Sequence, residues 1–227
     1  MAPKLYTHPL EVISTAEVKL MRMLRLLALL PLLLLVPVTA NAGPIVAGDI
    51  VTLTDGPGNT GGGEFNMFVN GSAQSFITFC LQRTQYIGFN QPFRVGSVTD
   101  YADDAGGNDP ISSQTAWLYT QARNGTLAGY SHTQTAANAL QNAIWHFENE
   151  ITLSSSQIQG NAFIQAANGA NFSGIGNVRV ANLFYMTGQR AQDQLILQVP
   201  GPAALILLGP GLLALGVFRR RLNAARA

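Results

Sequence analysis

Both ends of this 227-residue chain are apolar runs flanked by arginine, and they confine folding to the stretch between them. Residues 21–42 read MRMLRLLALLPLLLLVPVTANA. Arg22 and Arg25 form a basic start, 26–38 is apolar, and Ala40-Asn41-Ala42 fits the small-x-small rule for signal peptidase. The apolar run is short for a membrane span. We therefore read 1–42 as an N-terminal extension and signal peptide, with Met21 or Met23 as initiator and Gly43 as the mature start; the alternative is a retained anchor. The second apolar run, 202–218, is just long enough to cross a bilayer, and Arg219, Arg220 and Arg221 follow it at once. Such a cluster stays cytoplasmic, which puts the middle of the chain on the other side of the membrane.

That middle, 43–198, has the size of one domain. It holds five arginines against ten carboxylates, so nucleic acid is not an expected partner. Only 11% of the chain is charged, where about a quarter is usual. One Cys and three His exclude a disulfide framework and leave no zinc-ligand set, so no metal or cofactor is expected. After Lys19 there is no lysine.

The C-terminal pattern carries a resemblance. Val199-Pro200-Gly201-Pro202, the short apolar span and Arg219–Arg221 resemble the PEP-CTERM sorting signal of Gram-negative bacteria. That resemblance implies that 199–227 is removed by an exosortase-type membrane protease and that the protein passes to the cell surface or exopolysaccharide matrix. Until then the C-terminal helix would anchor it in the inner membrane. Gly201 stands where the family has Glu. The alternative is a plain single-pass anchor.

Within 43–198 the first third reads as strand. Residues 50–54, 65–69 and 76–81 are β-branched or alternating, Asn70-Gly71 is a turn signal, and 86–98 holds one or two strands more. The glycine-rich stretches 56–59 and 61–63 read as loops. Asp109-Pro110 opens a helix that stops at Asn124-Gly125. A second helix covers 133–150, and a capping box at Ser154–Gln157 starts a third that ends near Asn168-Gly169. Strands at 178–186 and 194–199 flank Thr187-Gly188-Gln189 as a hairpin. Asp103, Asp104, Asn108 and Asp109 read as a solvated loop ending in a helix cap. This order predicts an α+β domain, an antiparallel sheet with its helices gathered to one side.

Cys80 lies in Phe79-Cys80-Leu81-Gln82 and Gln141 in Gln141-Asn142-Ala143-Ile144-Trp145. Alone, a buried Cys is a small hydrophobe and a helix Gln is solvated. Together with Trp117-Leu118-Tyr119, the two motifs resemble the thioester domains of bacterial surface adhesins. The resemblance implies a thioester-domain-like fold and a crosslink between Cys80 and Gln141. A thiol would attack the Gln carboxamide, expel ammonia and leave a thioester open to a partner's amine or hydroxyl. That is single-use attachment, not enzymatic turnover. Gln141, Ile144, Trp145 and Glu148 share one helix face. Trp145 is placed to shield the bond and Glu148 to accept a proton or hold geometry, or both are simply core and rim. His146 points off that face and His132 falls in the preceding loop or cap.

The reading is of an exported surface or matrix protein with a thioester-type adhesion domain. Its expected partners are signal peptidase, an exosortase and an unnamed surface polysaccharide or protein. The alternatives are a non-covalent structural or binding protein of the extracellular matrix, and a secreted hydrolase.

Overall fold

The computed structural model describes residues 45–59, 61–104 and 107–198. The signal-peptide and sorting-signal readings, with Val199, Pro200, Pro202 and Arg219–Arg221, lie outside the described residues. Among the described residues no helix is long and apolar enough to cross a membrane.

Six strands form an antiparallel sheet: β1 (Ile50–Asn59), β2 (Gly62–Val69), β3 (Ser75–Thr78), β4 (Pro92–Thr99), β7 (Val178–Tyr185) and β8 (Gln194–Leu197). Their order is β3-β2-β1-β4-β7-β8. The chain just after β3 then turns to the far edge. Leu195 N donates to Phe79 O at 3.1 Å, Leu81 N donates to Asp193 O at 3.2 Å, and Cys80 forms a bridge with Gln194. The Thr78 hydroxyl donates to Leu195 O at 2.7 Å. These bonds nearly close the sheet into a barrel and satisfy backbone groups at both edges.

Among the described residues four helices pack outside it: α1 (Ser113–Arg123), α2 (Gln134–Phe147), α3 (Ser155–Gly160) and α4 (Ala162–Gly169). A separate hairpin, β5 (Tyr101–Asp104) with β6 (Gly107–Pro110), precedes α1. The fold is thus mixed α+β, as expected.

Strand periodicity divides the core. Val51, Leu53, Phe65, Met67, Phe93 and Cys80 pack in one apolar cluster, whereas Phe79, Leu81, Val180 and Leu195 join Leu118, Leu140, Ile144 and Ile164 of the helices in another. Trp145 belongs to the first cluster although it sits on α2. Its helix therefore reaches across into the strands' inner face.

Several sequence expectations need correction. Apart from Gly61, which is a turn, the glycine stretches are strand, not loop: Gly58 pairs with Gly63 and Asn59 with Gly62, beyond a bulge after Asp55. Gly58, Gly62 and Gly63 take φ values of 152°, 142° and 145°, which only glycine adopts freely, and Pro57 is tolerated at the bulge. The acidic loop is a two-stranded hairpin, and α1 starts later than Asp109-Pro110. Its cap is Ser112, whose hydroxyl accepts from Thr115 N at 3.1 Å. The expected third helix is two helices. The capping box at Ser154 is present, but Asn161 re-caps the chain, its Oδ1 accepting from Phe163 N while its Nδ2 donates to Ala139 O at 2.8 Å. Strand β3 ends at Thr78, and 79–81 changes partner. Of the 86–98 region only 92–98 is strand, and the strand runs on to Thr99.

Candidate functional site

Cys80 sits on the barrel seam and Gln141 midway along α2. The helix is placed by its Thr133 cap, whose side chain accepts from Ala136 N, and by Asn138 Oδ1, which accepts from Asn59 N at 3.1 Å. Apolar residues on one face press α2 against β1 and β2. The consequence is that two residues 61 positions apart meet: the Cys80 thiol donates to Gln141 Oε1 at 3.4 Å. In return Gln141 Nε2 donates to the Cys80 carbonyl at 2.9 Å. Gly63 N also donates to Gln141 Oε1 at 3.4 Å. Cys80 is 0% and Gln141 1% exposed.

The neighbourhood is dry. Trp145 stands one helical turn beyond Gln141, and Gly62 lies against both. A side-chain carbon on Gly62 would fall 2.5 Å from Trp145 Cη2 and 3.0 Å from Gln141 Cγ. Glycine here allows β2 to touch the helix. Burial pushes the Cys80 thiol pKa well up, and the Glu150 carboxylate adds to the rise. The Trp145 indole N–H favours the thiolate, but weakly: its Nε1 is buried without a partner at hydrogen-bond distance.

A protonated thiol in contact with a carboxamide can exchange its partner atoms. Attack of Sγ on Gln141 Cδ forms the S–C bond, the C–N bond breaks, and the thiol proton leaves with the amine as ammonia. Gly63 N–H is the backbone donor on the oxygen that would carry negative charge during attack. Exclusion of water slows hydrolysis of the product.

Trp145 is therefore beside the pair, and Glu148 is not. Seven residues of helix rise about 10 Å, so a shared face does not bring Glu148 to the sulfur. Glu148 ends α2 and turns to α1, where its Oε1 accepts from Ser112 N at 3.1 Å and Ser112 Oγ at 2.7 Å. Burial raises its pKa against the pull of the Thr115 and Ser112 donors. His146 stacks beside Phe147, off the site.

A second polar cluster adjoins the pair and was not expected. Glu64, 4% exposed, accepts from the Tyr130 hydroxyl and lies 2.7 Å from His132 Nδ1. It follows Gly63 directly and ties the lead-in to α2 onto β2. His132 is held at φ 48°. Three glycines running into a carboxylate, Gly61-Gly62-Gly63-Glu64, were the available signal.

Among the described residues no group of three or more His, Cys, Asp or Glu could hold a metal ion. A groove of about 810 Å³ lies between α2 and α3–α4 and is lined by Thr135, Asn138, Asn142 and Gln157. Neither Cys80 nor Gln141 lines it. No family model, curated protein or solved structure matches the chain.

Proposed function

We propose that this is an exported attachment protein in which Cys80 and Gln141 form an internal thioester that a surface partner opens covalently. The observation that carries the reading is the contact itself: the chain's one cysteine against a glutamine amide, both buried, at 3.4 Å. A thioester is a far better electrophile than an amide. A partner's amine or hydroxyl would bond to Gln141 Cδ and release Cys80 as the thiol. The reaction happens once per molecule, so the protein is an adhesin rather than an enzyme. The basic-apolar N-terminus and the Pro-x-Pro, apolar, Arg-rich C-terminus support export and exosortase sorting to the surface or matrix.

A non-covalent matrix protein is the second reading. It is favoured by the raised Cys80 pKa and by the satisfied Gln141 amide, both of which suit an inert structural pair.

Mass spectrometry of the expressed full chain separates the two. The peptides bearing Cys80 and Gln141 should be lighter than their sequence by one ammonia, and methylamine should add with release of one thiol. Cys80→Ala and Gln141→Ala should show neither. Glutamate at position 141 would mark a thioester already hydrolysed. A free thiol beside an intact Gln141 amide in fresh protein would sink the covalent reading.

A further inference from the structure

The chain leaving Cys80 has no regular structure over 82–91, yet it is pinned along its length. Arg83 N donates to Glu150 Oε2 at 2.8 Å. Gln192 Nε2 donates to the carbonyls of Gln82 and Gln85, at 2.7 and 2.9 Å. The Tyr185 hydroxyl donates to Tyr86 O at 3.2 Å, and Asn90 N donates to Leu53 O at 2.8 Å. A loop held this way pays little further backbone ordering cost on binding, which favours recognition.

What it presents is aromatic. Tyr86 is 78% and Phe89 38% exposed, and Phe89 is steadied edge-on by Phe65 at 5.3 Å. Large rings held in water on a fixed loop mark a contact surface. Between the loop and the β1–β2 hairpin is a cleft of about 380 Å³, within the range of small-ligand sites. Gly62 is part of its wall, and Gly62 is also in close contact with Trp145 and Gln141.

The wall chemistry selects the ligand. Asp55 and Arg83 place one charge of each sign in the cleft. An anion would meet the carboxylate and a cation the guanidinium. A neutral ligand rich in hydroxyls uses both, donating to Asp55 and accepting from Arg83. Its apolar C–H face suits Tyr86 and Phe89.

The geometry points to this cleft as a binding site for a neutral sugar unit of a glycan, stacked on Tyr86 and Phe89 with hydroxyls between Asp55 and Arg83. The site deepens the thioester reading and rests on it for one consequence: the acceptor is a sugar hydroxyl. Its oxygen bonds to Gln141 Cδ, the Cδ–S bond breaks, and the hydroxyl proton passes to the Cys80 sulfur. An ester and a free thiol result.

The test uses the full chain, purified as wild type, Cys80→Ser and Tyr86→Ala. Neutral oligosaccharides of glucose, galactose, mannose and N-acetylglucosamine are titrated by calorimetry and saturation-transfer NMR, with a lysine peptide as amine control. At least one oligosaccharide should bind Cys80→Ser noncovalently. Tyr86→Ala should weaken that binding about tenfold, roughly 1.4 kcal/mol, with no change in thermal midpoint because the ring is exposed. No binding by any sugar, or equal binding by Tyr86→Ala, overturns the assignment. Tyr86-dependent sugar binding by protein with a free Cys80 and an intact Gln141 amide keeps the cleft and removes the thioester. A thioester consumed equally by lysine peptide in wild type and Tyr86→Ala, with no sugar bound, does the reverse.

Discussion

Gly62 shows how much a single hydrogen atom can decide. With no side chain, β2 lies flat against Trp145 and the Gln141 methylene. Gly62→Ala adds a methyl where none fits, at a φ of 142° that disfavours any Cβ. We expect a loss of about 1–3 kcal/mol, read as a lower urea midpoint. The same variant should show a titratable thiol at Cys80, because α2 is pushed off the strand. Glu148 gives a prediction with a sign. Burial raises its folded pKa above the unfolded value of about 4.3. Its neutral form is the one the fold favours, so that contribution is full below the unfolded value and lost as pH rises through the folded one. Glu148→Gln keeps an oxygen for Ser112 and removes the charge. The variant should exceed wild type in urea midpoint at pH 7 and match it near pH 4; a wild-type advantage at pH 7 would refute the account.

Among elements, the seam between the segment after β3 and β8 holds the barrel shut, and Asp193 is its brace. The buried carboxylate accepts from Gln82 Nε2 at 3.0 Å, Asn182 Nδ2 at 2.8 Å, Leu183 N at 3.0 Å and Asp103 N at 2.7 Å. Three segments of chain, the stretch after β3, β5 and β7, thus converge on one side chain. Asp193→Ala removes the acceptor of four donors, of which Asn182 Nδ2 keeps a 3.3 Å bond to Tyr101 O, and should cost about 2–4 kcal/mol. Hydrogen exchange should accelerate first at the amides of Leu81 and Leu195. Faster exchange confined to the helices would argue against this role. The seam was also the least legible feature of the sequence. Caps at Ser154 and Thr133 and the Asn70-Gly71 turn act over a few residues, so α2, the start of α3 and the β2–β3 turn could be read directly. The partner switch of 79–81 depends on β8, more than a hundred residues away, and no local pattern announces it. The strand ends at 56–59 and 62–63 were hidden for the opposite reason: glycine signals a turn by default, and here it serves close approach. Cys80 and Gln141 were readable as a pair from motif, and Trp145 from helix spacing. Glu148 was not, because periodicity gives the face of a helix but not the distance along it.

For the molecule as a whole, the absence of lysine after Lys19 matters most if the thioester forms. No side-chain amine within 43–198 can consume it. Incubating the folded protein alone at pH 8 should therefore yield hydrolysis at Gln141 and no internal amide, as peptide mapping would show. An internal amide to any side chain would contradict this.

The bridge between Cys80 and Gln194 also has a mechanical meaning. If the ligand is tied to Gln141 and the cell holds the chain beyond β8, tension enters through α2 and leaves along β8 at Leu197. The strand is then pulled lengthwise between β7 and the 79–81 segment. Its hydrogen bonds are loaded in parallel, as in shear, and must fail together rather than one after another as in a zipper. A single-molecule pull between Gln141 and the C-terminal side should rupture at higher force than one that peels β1 from its N-terminus.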